Sequence, residues 1–205
     1  MTRLLMVRHG ITETNATRKF TGQTDVDMNE EGYQQVSNLR DRLADEDIHA
    51  VYSSDLKRAL ETAEMICSCH DLEIITCPEL RELDYGEVEG LSFGEINEKY
   101  PELGQQIREI NPDMKFPGGE SFRDLEVRAD KFLNIIDGHY EEQTVLLVSH
   151  GGMIRTLICQ LLGLEISHWS SFRIDNASLT IIDTYPRRTI ISLLNDTSHL
   201  RETGG

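Results

Sequence analysis

The stretch Leu4-Leu5-Met6-Val7-Arg8-His9-Gly10 decides the fold, because four apolar residues run directly into an arginine, a histidine and a glycine. A continuous apolar run bounded by glycine is typical of a strand buried inside a parallel sheet. The same pattern returns at Val145-Leu146-Leu147-Val148-Ser149-His150-Gly151-Gly152. Ligands of open α/β sheets bind at the carboxyl ends of the strands. If the two strands are neighbours, His9 and His150 therefore face each other across one crevice.

The pattern between and around these strands predicts alternating strands and helices. Besides the second His-Gly strand, we predict strands at 3–7, 50–52, 73–77, 178–183 and 189–194, and helices at 30–45, 56–69, 121–140 and 152–162, with a short helix from Ser92 to Pro101. This order indicates an α/β fold, a three-layer α/β/α sandwich whose central sheet is mainly parallel and carries helices on both faces. The last two strands are predicted to form an antiparallel pair, and the stretches 11–29 and 102–119 to be irregular.

The organisation of the chain predicts one domain. The 205 residues contain no linker, repeat or low-complexity segment, and this length suits a single α/β domain. Residues 85–120 are inserted between predicted elements. We expect this segment to form a lid over the crevice, since irregular segments beside strand ends commonly carry function.

The composition narrows the classes of partner. The net charge of −16 argues against nucleic acid and anionic membranes, because both bind basic surfaces. No apolar run approaches the roughly 18 residues of a membrane helix, and no apolar leader precedes the first strand. The cysteines show no paired spacing, and Cys67 and Cys159 fall in apolar helical patterns, which is typical of buried thiols in a reducing cytoplasm. We therefore expect a cytoplasmic protein, with a homodimer as an open alternative.

Five side chains with complementary chemistry are predicted to meet at the carboxyl edge of the sheet: Arg8, His9, Arg58, Glu82 and His150. Arginine forks bind phosphate oxygens bidentately, and two of them suit a dianion. A histidine among fixed cations has a lowered pKa and stays neutral and nucleophilic at pH 7. A second histidine and a carboxyl group beside a dianion have raised pKa values and can donate protons. This set provides what phosphoryl transfer through a phosphohistidine needs, without a metal or other cofactor to neutralise charge.

Other interpretations of these residues stay open. A single histidine after a strand is more often a hydrogen-bonded structural residue, but the repeated His-Gly at two strand ends favours a functional pair. A metal site made by His9, His150 and nearby acidic residues is a further alternative. No His-x-x-x-His pair on a helix and no Cys-x-x-Cys spacing supports it, and the adjacent arginines oppose a cation.

A series of short motifs runs through nearly the whole chain: Arg8-His9-Gly10 with Thr12 and Asn15, Gly22 and Asp25, Ser53-Ser54-Asp55-Leu56 with Arg58, Leu80 with Glu82, Gly86 with Glu89-Gly90, Pro117-Gly118-Gly119-Glu120-Ser121, Ser149-His150-Gly151-Gly152, and Asn195-Asp196 near His199. Together and in this order they resemble the histidine phosphatase superfamily, also called phosphoglycerate mutase-like. One departure is Asp27-Met28-Asn29, where the family often has Pro-Leu-Thr.

The resemblance implies a role for each matched residue. His9 is then the phosphorylated nucleophile, and Glu82 protonates the leaving group before it activates water. The phosphoryl group is then bound by Arg8, Asn15, Thr21, Gly22, Arg58, Glu82, His150 and Gly151. No metal and no other cofactor is implied.

Two features resemble the phosphatase branch of the family. The insertion between Gly90 and the second His-Gly strand is shorter than in the cofactor-dependent glycolytic mutases, and it carries the turn Pro117-Gly118-Gly119-Glu120-Ser121. They imply a phosphoric monoester hydrolase that acts on a small phosphorylated metabolite, with α-ribazole 5'-phosphate as the candidate substrate. Two alternatives remain: a phosphoglycerate mutase that moves a phosphoryl group between hydroxyls, and a non-catalytic module that binds phosphorylated ligands.

Overall fold

A six-stranded sheet lies at the centre of the computed structural model, which describes residues 1–109, 111–137 and 141–200. Its spatial order is β3-β2-β4-β1-β5-β6, with β1 Thr2–Arg8, β2 Ala50–Ser53, β3 Ile74–Thr76, β4 Thr144–Ser149, β5 Leu179–Tyr185 and β6 Arg188–Asp196. Strands β3, β2, β4 and β1 run parallel, whereas β5 is antiparallel to β1 and β6 is antiparallel to β5. The predicted closing antiparallel pair is therefore confirmed.

The two His-Gly strands are direct neighbours in this sheet. Strand β1 pairs with β4 in parallel, with Arg8 opposite Ser149. The residues of β1 are buried on both faces, since Leu4 and Met6 belong to one core cluster and Leu5 and Val7 to the other. A strand covered on both sides needs apolar residues at every position, which is why it has a continuous apolar run.

Helices cover both faces of the sheet: α1 Glu13–Ala16, α2 Glu30–Leu43, α3 Lys57–Cys67, α4 Phe93–Lys99, α5 Pro101–Glu109, α6 Phe122–Ile136 and α7 Gly151–Leu162. Helices α2 and α3 contribute to the core cluster that contains Leu5 and Val7, and α6 and α7 to the cluster that contains Leu4 and Met6. The predicted three-layer α/β/α arrangement is thus confirmed. Cys67 and Cys159 are buried and free, as their apolar patterns predict.

Some predicted elements need correction. The stretch 102–119 is not irregular throughout, because α5 spans Pro101–Glu109 and places Leu103 and Ile107 against the core. The predicted loop 11–29 contains one helical turn, α1. Thr12 and Asn15 form a capping box at its N-terminus. The predicted helix 121–140 ends at Ile136, and residues 138–140 lie outside the described residues.

The start of α3 has no local side-chain cap, although Ser54 and Asp55 stand just before it in the sequence. The N-cap is Leu56, which has no side-chain acceptor. A carboxylate oxygen of the distant Asp25 accepts the first free backbone N–H of the helix, that of Lys57, at 2.8 Å. A helix end needs such acceptors, and here tertiary structure supplies one that local sequence does not.

The segment 85–120 is tied together at its two ends. The backbone N–H of Glu87 donates to the carbonyl oxygen of Pro117, and that of Glu120 donates to the carbonyl oxygen of Asp84, both at 2.9 Å. These bonds place the segment beside the carboxyl edge of the sheet, with Tyr85 in the cavity there. The movement of this segment as a lid stays a prediction. The organisation of residues 1–205 as a single domain also stays a prediction.

The packing of α2 on the loop after β1 gives a stability prediction. A Cβ added at Gly32 would lie 2.2 Å from the carbonyl oxygen of Ile11, so we expect Gly32→Ala to lower the free energy of unfolding by about 2 kcal/mol. Gly94, in the first turn of α4, has open space around a Cβ, with its nearest neighbour at 3.9 Å. Gly94→Ala is therefore the matched control, neutral or stabilising by up to about 1 kcal/mol. Urea unfolding of both variants measures the difference, and equal values contradict the packing argument.

Candidate active site

A cavity of about 210 Å³ opens at the carboxyl edge of the parallel strands. It is lined by Arg8, His9, Asn15, Arg18, Lys19, Phe20, Thr21, Gly22, Arg58, Glu82, Tyr85, Gly151, Gly152, Arg155 and Trp169. Every residue that the sequence predicts for the site is in this lining except His150, which lies directly behind it. The parallel pairing of β1 and β4 explains this convergence, because both strands end at the same edge.

The two histidines form a buried pair. Their ring centroids are 5.1 Å apart with an interplanar angle of 57°, and His9 and His150 expose only 3% and 0% of their surface. Two side chains that lie side by side at the ends of adjacent strands can contact the same bound group. The predicted meeting of these two side chains is thus present in the structure.

His9 is held with one ring nitrogen unprotonated. Its Nδ1 donates to the carbonyl oxygen of Gly10 at 2.7 Å, so the proton sits on Nδ1 and the lone pair on Nε2. The guanidinium Nε of Arg58 donates to that Nε2 at 3.3 Å, which a protonated Nε2 would not accept. The imidazole is therefore neutral, with its lone pair beside a fixed cation.

His150 has the same tautomer as His9, with a different donor to its Nε2. The hydroxyl of Ser54 lies 2.8 Å from His150 Nε2 and also accepts the backbone N–H of Leu56. Among the described residues the Ser54 proton has no other acceptor, so it goes to Nε2 and the imidazole proton sits on Nδ1. That Nδ1 is buried without a partner. No acceptor among the described residues bonds this N–H, and a phosphoryl oxygen would supply one.

The two arginines are fixed by neutral carbonyl groups instead of carboxylates. Arg58 is 1% exposed, and it donates to the carbonyl oxygens of Gly22 at 2.7 Å and Thr24 at 2.9 Å. Arg8 donates to the carbonyl oxygen of Ile174 at 2.7 Å, and its buried Nε has no partner among the described residues. In the part of the chain that the structure describes, neither arginine forms an ion pair. Their positive charge is therefore available to an anion.

Glu82, on the loop after β3, contacts the N-terminus of α7. Its Oε2 accepts the backbone N–H of Gly152 at 3.0 Å, and its Oε1 accepts the N–H of Leu83 at 2.9 Å. A Cβ at Gly152 would lie 2.2 Å from Oε1, so a glycine at this position permits the close approach. The carboxyl group is thereby oriented on the rim of the cavity.

Arg128 of α6 holds the backbone that presents Glu82. It donates to the carbonyl oxygens of Glu79 at 2.8 Å, Arg81 at 2.7 Å and Glu82 at 3.0 Å. The same guanidinium pairs with Glu120 at 2.8 Å. These bonds join α6 to the loop after β3, so Arg128 is a positioning residue that the sequence reading leaves out.

The loop that carries Thr21 and Gly22 is fastened to the rest of the site by Glu89. Its carboxylate accepts the backbone N–H groups of Gln23 and Thr24, each at 2.8 Å. Gly22 has a φ of +55°, a left-handed conformation in which glycine is unstrained. The Thr21 hydroxyl donates to the Thr14 hydroxyl at 2.7 Å, so this loop is tied to α1 as well.

Burial is the largest influence on the two histidines. It lowers the pKa of His9 well below the ordinary value of 6.5, and the guanidinium groups of Arg58 and Arg8 lower that pKa further. Burial likewise lowers the pKa of His150, and the charges of Arg58 and Arg8 lower it further. From the sequence, the neutrality of His9 is expected to come from its cationic neighbours. In the structure these charges are the second cause of the lowered pKa, after burial. The raised pKa expected for the second histidine requires a bound dianion, because in the free site its pKa is lowered.

The family model described as "Histidine phosphatase superfamily (branch 1)" matches residues 4–197. The chain belongs to the histidine phosphatase superfamily. Phosphoserine phosphatase 1 of Hydrogenobacter thermophilus is 37% identical over 202 residues, covering 98% of this chain and 96% of that protein. A metal-independent phosphoserine phosphatase of Arabidopsis thaliana is 37% identical over 208 residues, covering 100% and 85%. The structure of the alpha-ribazole phosphatase from Shigella flexneri superposes with a TM-score of 0.86 at 27% identity, covering 95% and 96%.

Family membership together with the phosphatase relatives gives the reaction class: the chain is a phosphoric monoester hydrolase. Within the described ranges, no three His, Cys, Asp or Glu side chains converge to hold a metal ion. No helix in the same ranges is long and apolar enough to cross a membrane.

Several cavity residues of this histidine phosphatase are absent from the sequence-based set, namely Arg18, Lys19, Phe20, Tyr85, Gly152, Arg155 and Trp169. Arg155 had a usable signal, because it is the one charged residue of the otherwise apolar and polar helix Gly151–Leu162. Trp169 had none, since it follows α7 in a 3₁₀ helix at Ile166–Ser171 and reaches the cavity only through tertiary packing.

The buried histidines predict a pH-dependent stability. As the pH falls below about 6.5, the unfolded chain takes up protons on these residues and the folded chain does not, so the free energy of unfolding decreases. Each histidine contributes up to about 1.4 kcal/mol per pH unit. We expect His150→Asn to have a shallower slope between pH 6.5 and 5 than the wild type in phosphate-free buffer. The exposed His168→Asn is the control, and an unchanged slope in His150→Asn contradicts the prediction.

The bond from Ser54 predicts the tautomer of His150. In Ser54→Ala, Nε2 loses its donor, so we expect the Nδ1-protonated form to lose population and the affinity for the phosphate analogue vanadate to fall about tenfold. Imidazole ¹⁵N NMR measures the tautomer and calorimetry measures the affinity. Ser53→Ala is the matched control, because its hydroxyl donates to the carbonyl oxygen of Ser54 and leaves His150 untouched. An unchanged tautomer in Ser54→Ala contradicts this role.

Proposed function

We propose that this histidine phosphatase hydrolyses a small phosphorylated metabolite without a metal, through a phosphohistidine formed on His9. The observation that carries the proposal is the unprotonated Nε2 of the buried, neutral His9 imidazole. This nitrogen lies 3.3 Å from the guanidinium Nε of Arg58. An unprotonated nitrogen is the nucleophile that attack on phosphorus requires, and the adjacent cation attracts the dianionic group to it.

In the first step, the Nε2 lone pair of His9 attacks phosphorus, a P–N bond forms and the P–O bond to the leaving group breaks. Glu82, in its protonated form, gives its proton to the leaving oxygen. Arg8, Arg58 and the Nδ1–H of His150 bind the phosphoryl oxygens, where negative charge is concentrated during transfer. Asn15, Thr21, Gly22 and Gly151 complete the cradle.

In the second step, water attacks the phosphohistidine. Glu82 is now a carboxylate and takes a proton from the water, an O–P bond forms and the P–N bond breaks. Inorganic phosphate leaves, and both His9 and Glu82 return to their starting protonation states. The two guanidinium groups supply the positive charge that a metal ion would otherwise provide. This supports a metal-independent reaction.

The names of the relatives point to two substrates, phosphoserine and α-ribazole 5'-phosphate. Both are small phosphomonoesters, so the same transfer chemistry serves either. A homodimer and a cytoplasmic setting, which the sequence suggests, stay predictions.

The proposal is tested by removal of the His9 imidazole. We expect His9→Ala to reduce hydrolysis of p-nitrophenyl phosphate by about a thousandfold or more, whereas the exposed His168→Ala keeps wild-type activity. Activity of the wild type persists in excess chelator. Brief incubation with ³²P-labelled p-nitrophenyl phosphate leaves an acid-labile, base-stable label on the protein. This label accumulates in Glu82→Gln, because p-nitrophenolate leaves without a proton whereas the attacking water needs a base.

The alternatives give different outcomes in the same assays. Activity that is lost to chelator and restored by zinc contradicts the metal-independent mechanism. Interconversion of phosphoglycerate isomers that outpaces release of phosphate establishes a mutase instead. The absence of turnover on a panel with phosphoserine, α-ribazole 5'-phosphate, phosphoglycerates and sugar phosphates establishes a binding module.

A further inference from the structure

The turn before β5, residues 174–178, holds the end of β1 without lining the cavity. The backbone N–H of Ala177 donates to the carbonyl oxygens of Arg8 at 3.0 Å and His9 at 3.1 Å. Ala177 has a φ of +51°, a left-handed conformation that residues with a Cβ rarely adopt. Because backbone strain of this kind collects at functional sites, the side chains of this turn are candidates for a role in the site.

Asn176 is the residue of this turn whose side chain bonds two residues of the site. Its Nδ2 donates to the carbonyl oxygen of His9 and to Oδ1 of Asn15, each at 3.1 Å. An amide NH₂ group has two hydrogens, so both bonds form at once. Asn176 therefore joins the backbone of the proposed nucleophile to a side chain of the predicted phosphate cradle.

The backbone at the start of α1 determines which end of the Asn15 amide is the oxygen. The N–H of Thr12 points to that end at 3.3 Å, and a backbone N–H can only donate, so the atom that receives it is Oδ1. The amide of Asn176 bonds the same atom and must also donate. The carbonyl oxygen of His9 requires a donor from Asn176 as well, so the orientation of both amides follows from backbone groups that cannot reverse.

This network leaves the Nδ2 of Asn15 available to a ligand. The Asn15 side chain lines the cavity, and its Nδ2 donates to no acceptor among the described residues. The bond from Thr12 is longer than an ordinary N–H···O bond, so Asn176 supplies the shorter of the two bonds to Oδ1. If the amide of Asn15 turned over, its NH₂ group would face two donors and its oxygen would face the phosphoryl oxygens.

We infer that Asn176 is a positioning residue for phosphoryl transfer, which fixes the amide of Asn15 with its N–H groups towards the phosphoryl oxygens. The inference rests on the proposed function, which places the phosphoryl group at His9. Asn176 acts through Asn15 and has no contact with the substrate. Its second bond holds the backbone of His9, so the nucleophile and this donor keep a constant separation. A donor that is fixed in advance needs no reorientation as charge develops during transfer.

A double-mutant cycle with orthovanadate as the probe tests this coupling. Asn176→Leu keeps the approximate size of the side chain and removes the donor, so we expect the vanadate affinity and kcat/KM for p-nitrophenyl phosphate to fall about tenfold. Asn15→Asp keeps the acceptor for the N–H of Thr12 and replaces the N–H groups by oxygen. In that background Asn176→Leu lowers the affinity by less than about twofold further, because its effect passes through the missing donor.

The matched control is Asn134→Leu, on the exposed face of α6, where the lost Nδ2 bond runs to the carbonyl oxygen of Asp130. We expect this variant to keep wild-type affinity and kcat/KM. Additive losses from the two substitutions in the cycle overturn the inference, since they show that Asn176 acts independently of Asn15. An unchanged vanadate affinity in Asn176→Leu overturns it as well.

Side-chain amide NMR separates orientation of Asn15 from a general loosening of the structure. The NH₂ signals of Asn15 are identified by their loss in Asn15→Asp, and in the wild type saturating vanadate shifts them. In Asn176→Leu we expect a smaller shift at saturation, whereas an equal shift contradicts the positioning role. These binding measurements do not need turnover. Failure of the proposed function shows separately, as absent hydrolysis and absent phosphohistidine in the wild type.

Discussion

The site depends on Arg58, which is buried, and Arg8, which is partly buried. Carbonyl oxygens hold both, and neither pairs with a carboxylate among the described residues. Placing an ion in a protein interior costs several kcal/mol unless other groups replace its water. Here the carbonyl oxygens of Gly22, Thr24 and Ile174 take that role. Because these acceptors are neutral, the guanidinium charges are not cancelled. Together with burial, which is the larger effect, they keep the nearby imidazoles neutral, and they remain available to an anion.

The surrounding fold supports this arrangement through a few long-range anchors. Glu89 fixes the loop whose carbonyl groups hold Arg58, and Arg128 with Glu120 fixes the loop that presents Glu82. Both anchors are charged groups bonded to backbone, which constrains direction as well as distance. The catalytic geometry that we propose thus depends on loops that are held by charged side chains distant in the sequence.

The sequence predicts the strands and most helices of the core, because burial on one or two faces leaves a periodic apolar pattern. It fails where a tertiary contact replaces a local one. The start of α3 is one example, since Asp25 accepts the N–H of Lys57 in place of a neighbouring side chain. Helix α5 is another, because Leu103 and Ile107 make a weak pattern that becomes helical against the rest of the core. The neutrality of His9 is a third, since burial outweighs the arginines and a sequence does not report burial of a polar residue.

By itself the sequence determined that β1 and β4 are buried strands ending in His-Gly, because four consecutive apolar residues followed by a permissive glycine allow few other structures. It also determined which chemical groups are present for phosphoryl transfer. Only the tertiary structure decided which atoms face each other: Nε2 of His9 towards Arg58, Nε2 of His150 towards Ser54, and Arg155 beside Trp169. The physical reason is that these contacts join residues far apart along the chain, so they depend on sheet order and loop paths, and apolar periodicity carries no record of either.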